Sequence, residues 1–169
     1  MSSEIEPRIY VSTISHYNSG STAGAWVSLD EYPTAETFDA AARELHKEEH
    51  SPVLIFQDYQ GIPGALCGTA GLDNRLWKWL ALSEHDREVV DAWMRKIGGD
   101  TSILNIFASF LGRADSWEAY VDNHVQVSGM LSGASESLKT YFDYAEYGRE
   151  LADNHTVAMT PSGVYVFEH

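Results

Sequence analysis

The chain has 169 residues, 44% of them hydrophobic and 12% aromatic, enough for one core or a few small ones and too few for two large domains. Its 11 lysines and arginines stand against 25 aspartates and glutamates, a net charge of -14, which argues against a basic grip on nucleic acid or anionic lipid. The single cysteine, Cys67, can form neither an internal disulfide nor a cysteine zinc site, as fits a reducing, cytoplasmic setting.

Residues 8–14 (RIYVSTI) and 25–29 (AWVSL) are rich in β-branched and aromatic side chains and read as two strands, with turn chemistry at Tyr17-Asn18-Ser19-Gly20 between them. After Pro33, Thr34 is placed to cap a helix whose Phe38, Ala41, Ala42 and Leu45 share one face, and that helix is expected to end near His50, before Pro52. Val53-Leu54-Ile55-Phe56 reads as a buried third strand, so the first third is ββαβ. Residues 60–71 hold four glycines and a proline and mark a boundary.

A helical middle follows. Leu76, Trp77 and Leu80 fall in one short helix. Ser83 and Asp86 begin a second, with Val89, Val90, Trp93, Met94 and Ile97 inward and Gly98-Gly99 as its stop. Ile103 to Leu111 has helical spacing, as does the stretch through Trp117, Tyr120 and Val121. Ser135 is expected to cap a last helix running through Leu138, Tyr141, Phe142, Ala145 and Leu151, and Thr156 to Phe167 forms a hairpin about Pro161-Ser162-Gly163. The fold class is α+β, in three parts: an acidic ββαβ domain at 1–68, a helical middle at 69–110 and an α+β domain at 111–169. Residues 1–7 have no basic flank or apolar run, and no stretch has the roughly 18 successive apolar residues of a membrane span, so neither export nor insertion is expected.

Charge is uneven along the chain: the three parts carry -7, -1 and -6. A solvated acidic surface or adaptation to high salt would produce such an excess. A third reading is that the carboxylates stand in for phosphates, since duplex DNA carries one negative charge per roughly 1.7 Å of its axis. The predicted helix from Thr34 to His50 offers Glu36, Asp39, Glu44, Glu48 and Glu49 against Arg43 and Lys47, which would make its outer face strongly negative.

No catalytic constellation assembles. His46-Lys47-Glu48-Glu49-His50 fits H-x-x-E-H, the zinc pair plus base of some proteases, but at the end of a short helix it reads as exposed histidines favoured by the helix dipole. The glycine-rich loop lacks the lysine of a phosphate cradle, and G-x-S-x-G is absent. No enzyme activity, cofactor or metal is expected.

Three stretches together resemble the ArdA antirestriction family: residues 9–26 (IYVSTISHYNSGSTAGAW), Asp58-Tyr59-x-Gly61-Ile62-Pro63 with Leu72-x-Asn74-Arg75-Leu76-Trp77, and residues 141–151 (YFDYAEYGREL). The resemblance implies an elongated homodimeric DNA mimic, carried by mobile genetic elements, that occupies the DNA-binding groove of type I restriction-modification enzymes. On that reading the binding surface comprises Asp30, Glu31, Glu36, Asp39, Glu44, Glu48, Glu49, Asp58, Asp115, Glu118, Asp122, Asp143, Glu146 and Glu150. The dimer would form through the C-terminal part, with Phe107, Phe110, Trp117 and Tyr120 in the contact. The near-neutral middle, with Arg75, Lys78, Arg87, Arg95 and Lys96, departs from a continuous acidic stripe. An acidic, non-catalytic adaptor that binds another protein is the alternative.

Overall fold

A computed structural model describes residues 5–169 and confirms the α+β class, with open antiparallel sheets and helices distributed along the chain. Its residues group into two compact units that divide between Ser83 and Glu84.

In the first unit, β1 (Arg8–Thr13) is the central strand of an antiparallel sheet ordered β2-β1-β3, with β2 (Ala25–Ser28) and β3 (Leu54–Gln60) at its edges. Ile9 and Val11 alternate inward with Val27 and Ile55, and α2 (Ala35–Glu44) adds Phe38 and Ala42 to the same core. Thr34 caps α2 as its sequence predicts, in a reciprocal box with Thr37 in which each side chain accepts from the other residue's backbone amide at 3.2 Å. On the other face of the sheet, Tyr10 and Trp26 are cross-strand partners in edge-to-face contact at 5.5 Å, and the Arg8 guanidinium lies 4.8 Å from the Trp26 ring centre.

Several local expectations are corrected. Tyr17 and Asn18 belong to a short helix, α1 (Ile14–Asn18), whose cap Thr13 lies at the end of β1. The helix expected to reach His50 stops at Glu44, and residues 45–48 turn. The glycine-rich stretch is structured: a 3-10 turn at Gly64–Leu66 leads into a two-stranded hairpin of β4 (Cys67–Gly68) and β5 (Gly71–Leu72). Phe56 N donates to Thr69 O at 2.9 Å, fastening this hairpin to β3. In α3 (Leu76–Leu80), Trp77 stacks edge-on against Phe38 at 5.8 Å and donates its indole N–H to Tyr32 O at 3.2 Å. These contacts are why residues 69–83 group with the N-terminal part, and the sequence-based boundaries after 68 and 110 each fall inside a unit.

The second unit opens with α4 (Glu84–Lys96), which buries Val89, Val90, Ala92 and Met94 and ends before Gly98-Gly99 as expected. Helix α5 (Ile103–Ser109) is shorter than its spacing predicts. Phe110 and Leu111, which continue the apolar helical period, instead begin β6 (Phe110–Ala114), because β8 offers that segment an antiparallel partner, with a register shift at Leu111. The C-terminal hairpin of β7 (His155–Thr160) and β8 (Gly163–Glu168) is therefore two-thirds of a sheet ordered β6-β8-β7. Central β8 buries Val164, Tyr165, Val166 and Phe167 in succession, as a strand covered on both faces must.

Helix α6 (Trp117–Ser128) is capped by Ser116. The single helix expected from Ser135 is broken into α7 (Glu136–Thr140) and α8 (Tyr144–Asp153), because Asp143 turns its carboxylate to the Glu146 amide at 2.9 Å and starts a new N-terminus. Helices α6 and α8 pack at Gly148: a Cβ there would lie 3.1 Å from Val121 Cγ2 and 3.2 Å from Trp117 Nε1.

Candidate functional site

The acids assigned from the sequence come from several elements. Asp30 and Glu31 stand between β2 and α2; Glu36, Asp39 and Glu44 lie on α2, Glu48 just past it and Asp58 on β3. In the second unit Asp115 precedes α6, Glu118 and Asp122 are one turn apart on it, and Asp143, Glu146 and Glu150 follow one face of α8. All of these are exposed.

Glu49 is different. It is half-buried and accepts a hydrogen bond from Thr13 Oγ1 at 2.6 Å. Because α2 ends at Glu44, the expected row of five acids on one helix face does not form. Phe38 and Ala42 point inward while Glu36, Asp39 and Arg43 share the outer side. That outer side is also partly neutralised, by Asp39 with Arg43 at 2.7 Å and Glu44 with Lys47 at 2.8 Å. The hydrogen bond to Glu44 raises the Lys47 ammonium above its ordinary pKa, so it stays charged.

The pairing matters for where net charge survives. Many of the bases are held by neighbours: Arg8 by Gln60, Arg75 by Asp73 at 2.7 Å, Arg113 by Asp115 and the Ser162 carbonyl, Lys139 by Glu136 at 2.9 Å and Arg149 by Glu146. The Arg75 guanidinium, through its hydrogen bonds, holds the Asp73 carboxyl below the usual carboxylate range. Among the described residues, Asp30, Glu31, Glu36, Asp58, Glu118 and Glu150 have no ion-pair partner, so both units present uncompensated negative charge. Of the bases in the near-neutral middle, Lys78, Arg95 and Lys96 are exposed. Arg95 and Lys96 occupy the last turn of α4, where the helix dipole favours cations.

The H-x-x-E-H reading is corrected. His46 and His50 are not neighbours on a helix: His46 is 3% exposed and His50 lies at the surface. The residue that joins His46 and Glu49 is His16 of α1, which no local spacing in the sequence reveals. Cys67 sits half-buried in β4, and burial, followed by the charge of Asp58, pushes its thiol pKa up and away from a reactive thiolate.

The aromatic residues assigned to a dimer contact serve different roles within the chain. Phe110 packs on Tyr165 and Phe167, with ring centres 6.3 and 5.4 Å away. Trp117 stacks on Tyr120 at 5.5 Å with planes 11° apart, and also closes on Gly148. Tyr120 and Phe107 are partly exposed.

The α+β chain carries exposed carboxylates without ion-pair partners on both units. The family model for antirestriction protein (ArdA) matches residues 9–166, and the chain belongs to that family. No curated protein sequence matches it. Among the described residues no helix is long and apolar enough to cross a membrane.

Proposed function

We propose that this antirestriction protein is a DNA mimic, a non-catalytic inhibitor that occupies the DNA-binding groove of type I restriction-modification enzymes. The observation that carries the reading is the distribution of charge. Exposed carboxylates without cationic partners occur on both units, while many of the bases are tied to local acceptors. A groove that holds duplex DNA does so largely through lysines and arginines whose attraction is indifferent to base sequence. Carboxylates fixed on folded elements satisfy those cations without the base edges that carry sequence information.

In this reading the chain acts in the cytoplasm, is carried by mobile elements that enter a restricting host, and dimerises through its C-terminal part. A two-fold then presents two symmetric acidic surfaces, and the apolar contact offsets repulsion between chains that each carry -14. The test is inhibition of ATP-dependent cleavage by several type I enzymes with unrelated recognition sequences. Comparable inhibition of all of them supports backbone mimicry; inhibition of one specificity that spares its close relatives contradicts it.

A further inference from the structure

One cluster contains the half-buried Glu49 and borders the exposed Glu48. His16 on α1, and His46 and Glu49 in the turn after α2, each bring a donor atom to within 4.8 Å of the other two. His16 Nδ1 and His46 Nε2 are buried and have no hydrogen-bond partner. Leaving such ring nitrogens unpaired in a protein interior costs free energy, and native folds satisfy them with a protein group, an ordered water or an ion.

The neighbouring groups are arranged around that gap. The Glu48 carboxylate lies 3.8 Å from His46 Nδ1, the ring nitrogen other than the unpartnered Nε2. Thr13 Oγ1, 2.6 Å from Glu49 Oε1, fixes the Glu49 side chain as an outer partner fixes a ligating carboxylate. An ion pair between His16 and Glu49 does not satisfy the cluster, because Nδ1 and Oε1 are 3.8 Å apart, beyond hydrogen-bond reach. The two rings lie 5.5 Å apart, centre to centre.

We propose that His16, His46 and Glu49 form a binding site for a zinc-class divalent ion, with a water as fourth ligand, that clips α1 to the segment between α2 and β3. Two imidazoles and a carboxylate are a donor set suited to zinc rather than to magnesium or calcium. Ligands at about 2.0–2.1 Å bring tetrahedral donors to roughly 3.3 Å from one another, so the cluster contracts by at most about 1.5 Å, within reach of the partly exposed Glu49 side chain. The same two segments are already joined where Ile14 N donates to Val53 O at 2.9 Å, so the ion reinforces an existing junction. It fastens the end of the unit that carries the α2 acids.

The experiment is calorimetric titration of the untagged, chelator-treated full-length protein with zinc chloride, and with magnesium chloride as a control. The expected result is one zinc per chain, no uptake of magnesium and a higher melting temperature with zinc. His16→Asn and Glu49→Gln each weaken zinc binding by more than about 100-fold, beyond the 10–100-fold typical for loss of an outer partner, and Thr13→Ala falls within that range. His50→Ala binds as the parent does. If a variant loses the parent's circular dichroism, nitrogen-15 shifts of the parent's imidazoles decide instead: His16 and His46 move together on zinc addition while His50 stays in place. No zinc uptake, uptake unchanged in both His16→Asn and Glu49→Gln, or a response of His50 in place of His16 overturns the assignment.

Discussion

The buried Tyr165 hydroxyl donates to Glu88 Oε2 at 2.8 Å, joining the central strand of the C-terminal sheet to α4 across 77 residues of sequence. Glu88 is thereby an acid with an internal task, and the excess of carboxylates is not uniformly a surface property. Hydrogen bonds to charged groups contribute about 1.5–3 kcal/mol, so Tyr165→Phe is expected to destabilise the second unit by an amount in that range. Glu88→Gln keeps an acceptor and costs less, while Glu88→Ala leaves the buried hydroxyl with Ser162 Oγ at 3.3 Å as its remaining neighbour. Urea unfolding followed by tryptophan fluorescence orders the three variants, and a Tyr165→Phe protein as stable as the parent contradicts the role given to this bond.

Gly148 is where two opposing terms can be weighed. Alanine in a helix interior is favoured over glycine by about 1 kcal/mol, yet its Cβ would press on Val121 and Trp117 of α6. Overpacking of a rigid contact costs about 1–3 kcal/mol, so Gly148→Ala is expected to be net destabilising by about 1 kcal/mol. A rise in melting temperature would show that α6 yields.

Lowering the pH weakens the Asp73–Arg75 pair. Asp73 titrates below its unfolded value, so its stabilisation is complete above the ordinary carboxylate range and is lost as pH falls through the folded value. Asp73→Asn is expected to lower stability near neutral pH and to flatten the acid limb of the stability profile relative to the parent. Parallel profiles for the two proteins would contradict this.

Charge reversal on α2 is expected to weaken inhibition gradually. Exposed charge contacts are worth about 0.2–1 kcal/mol each, so Glu36→Lys alone should weaken inhibition by less than about fivefold. The triple change of Glu36, Asp39 and Glu44 to lysine should reach tens of fold and also leaves Arg43 and Lys47 unpaired. Inhibition constants measured at two salt concentrations test this; abolition of inhibition by one folded single variant would point to a discrete hot spot.

The proposed dimer contact is best probed at Tyr120. Phe110 packs in its own sheet and Trp117 closes on Gly148, so changes at either confound association with folding. Tyr120→Asp is expected to sediment as a folded monomer under conditions where the parent is a dimer. A folded dimer for the variant removes Tyr120 from the contact, and a monomeric parent at micromolar concentration contradicts the assembly itself.

How much could be read from the sequence depended on whether the signal was local. Thr34, the inward face of α2 and the inward Ile9 and Val11 of β1 are set by neighbouring residues, and each is found where its pattern places it. The Gly24-Ala25-Trp26 motif has a steric reason: a Cβ on Gly24 would lie 2.6 Å from Val11 O and 2.8 Å from the Tyr10 ring. Strand β6 was hidden because Phe110 and Leu111 fit a helical period, and only distant β8 offers the competing ladder. The break at Asp143 was hidden because the apolar spacing runs through it while a single carboxylate ends it. Among candidate site residues, exposure of the acids followed from their type. Glu49's turn toward Thr13, and the meeting of His16 with His46, depend on contacts more than 29 residues apart in sequence, which no local period encodes.

The central claim is tested most directly by equilibrium displacement of fluorescent duplex DNA from a purified type I methyltransferase, with this protein as titrant. Full displacement at stoichiometric protein, equally effective on duplexes with and without the recognition sequence once their own affinities are allowed for, and weakening as salt is raised, is the predicted result. A complex in which enzyme, DNA and this protein coexist, or no displacement at all, would contradict occupation of the DNA-binding groove.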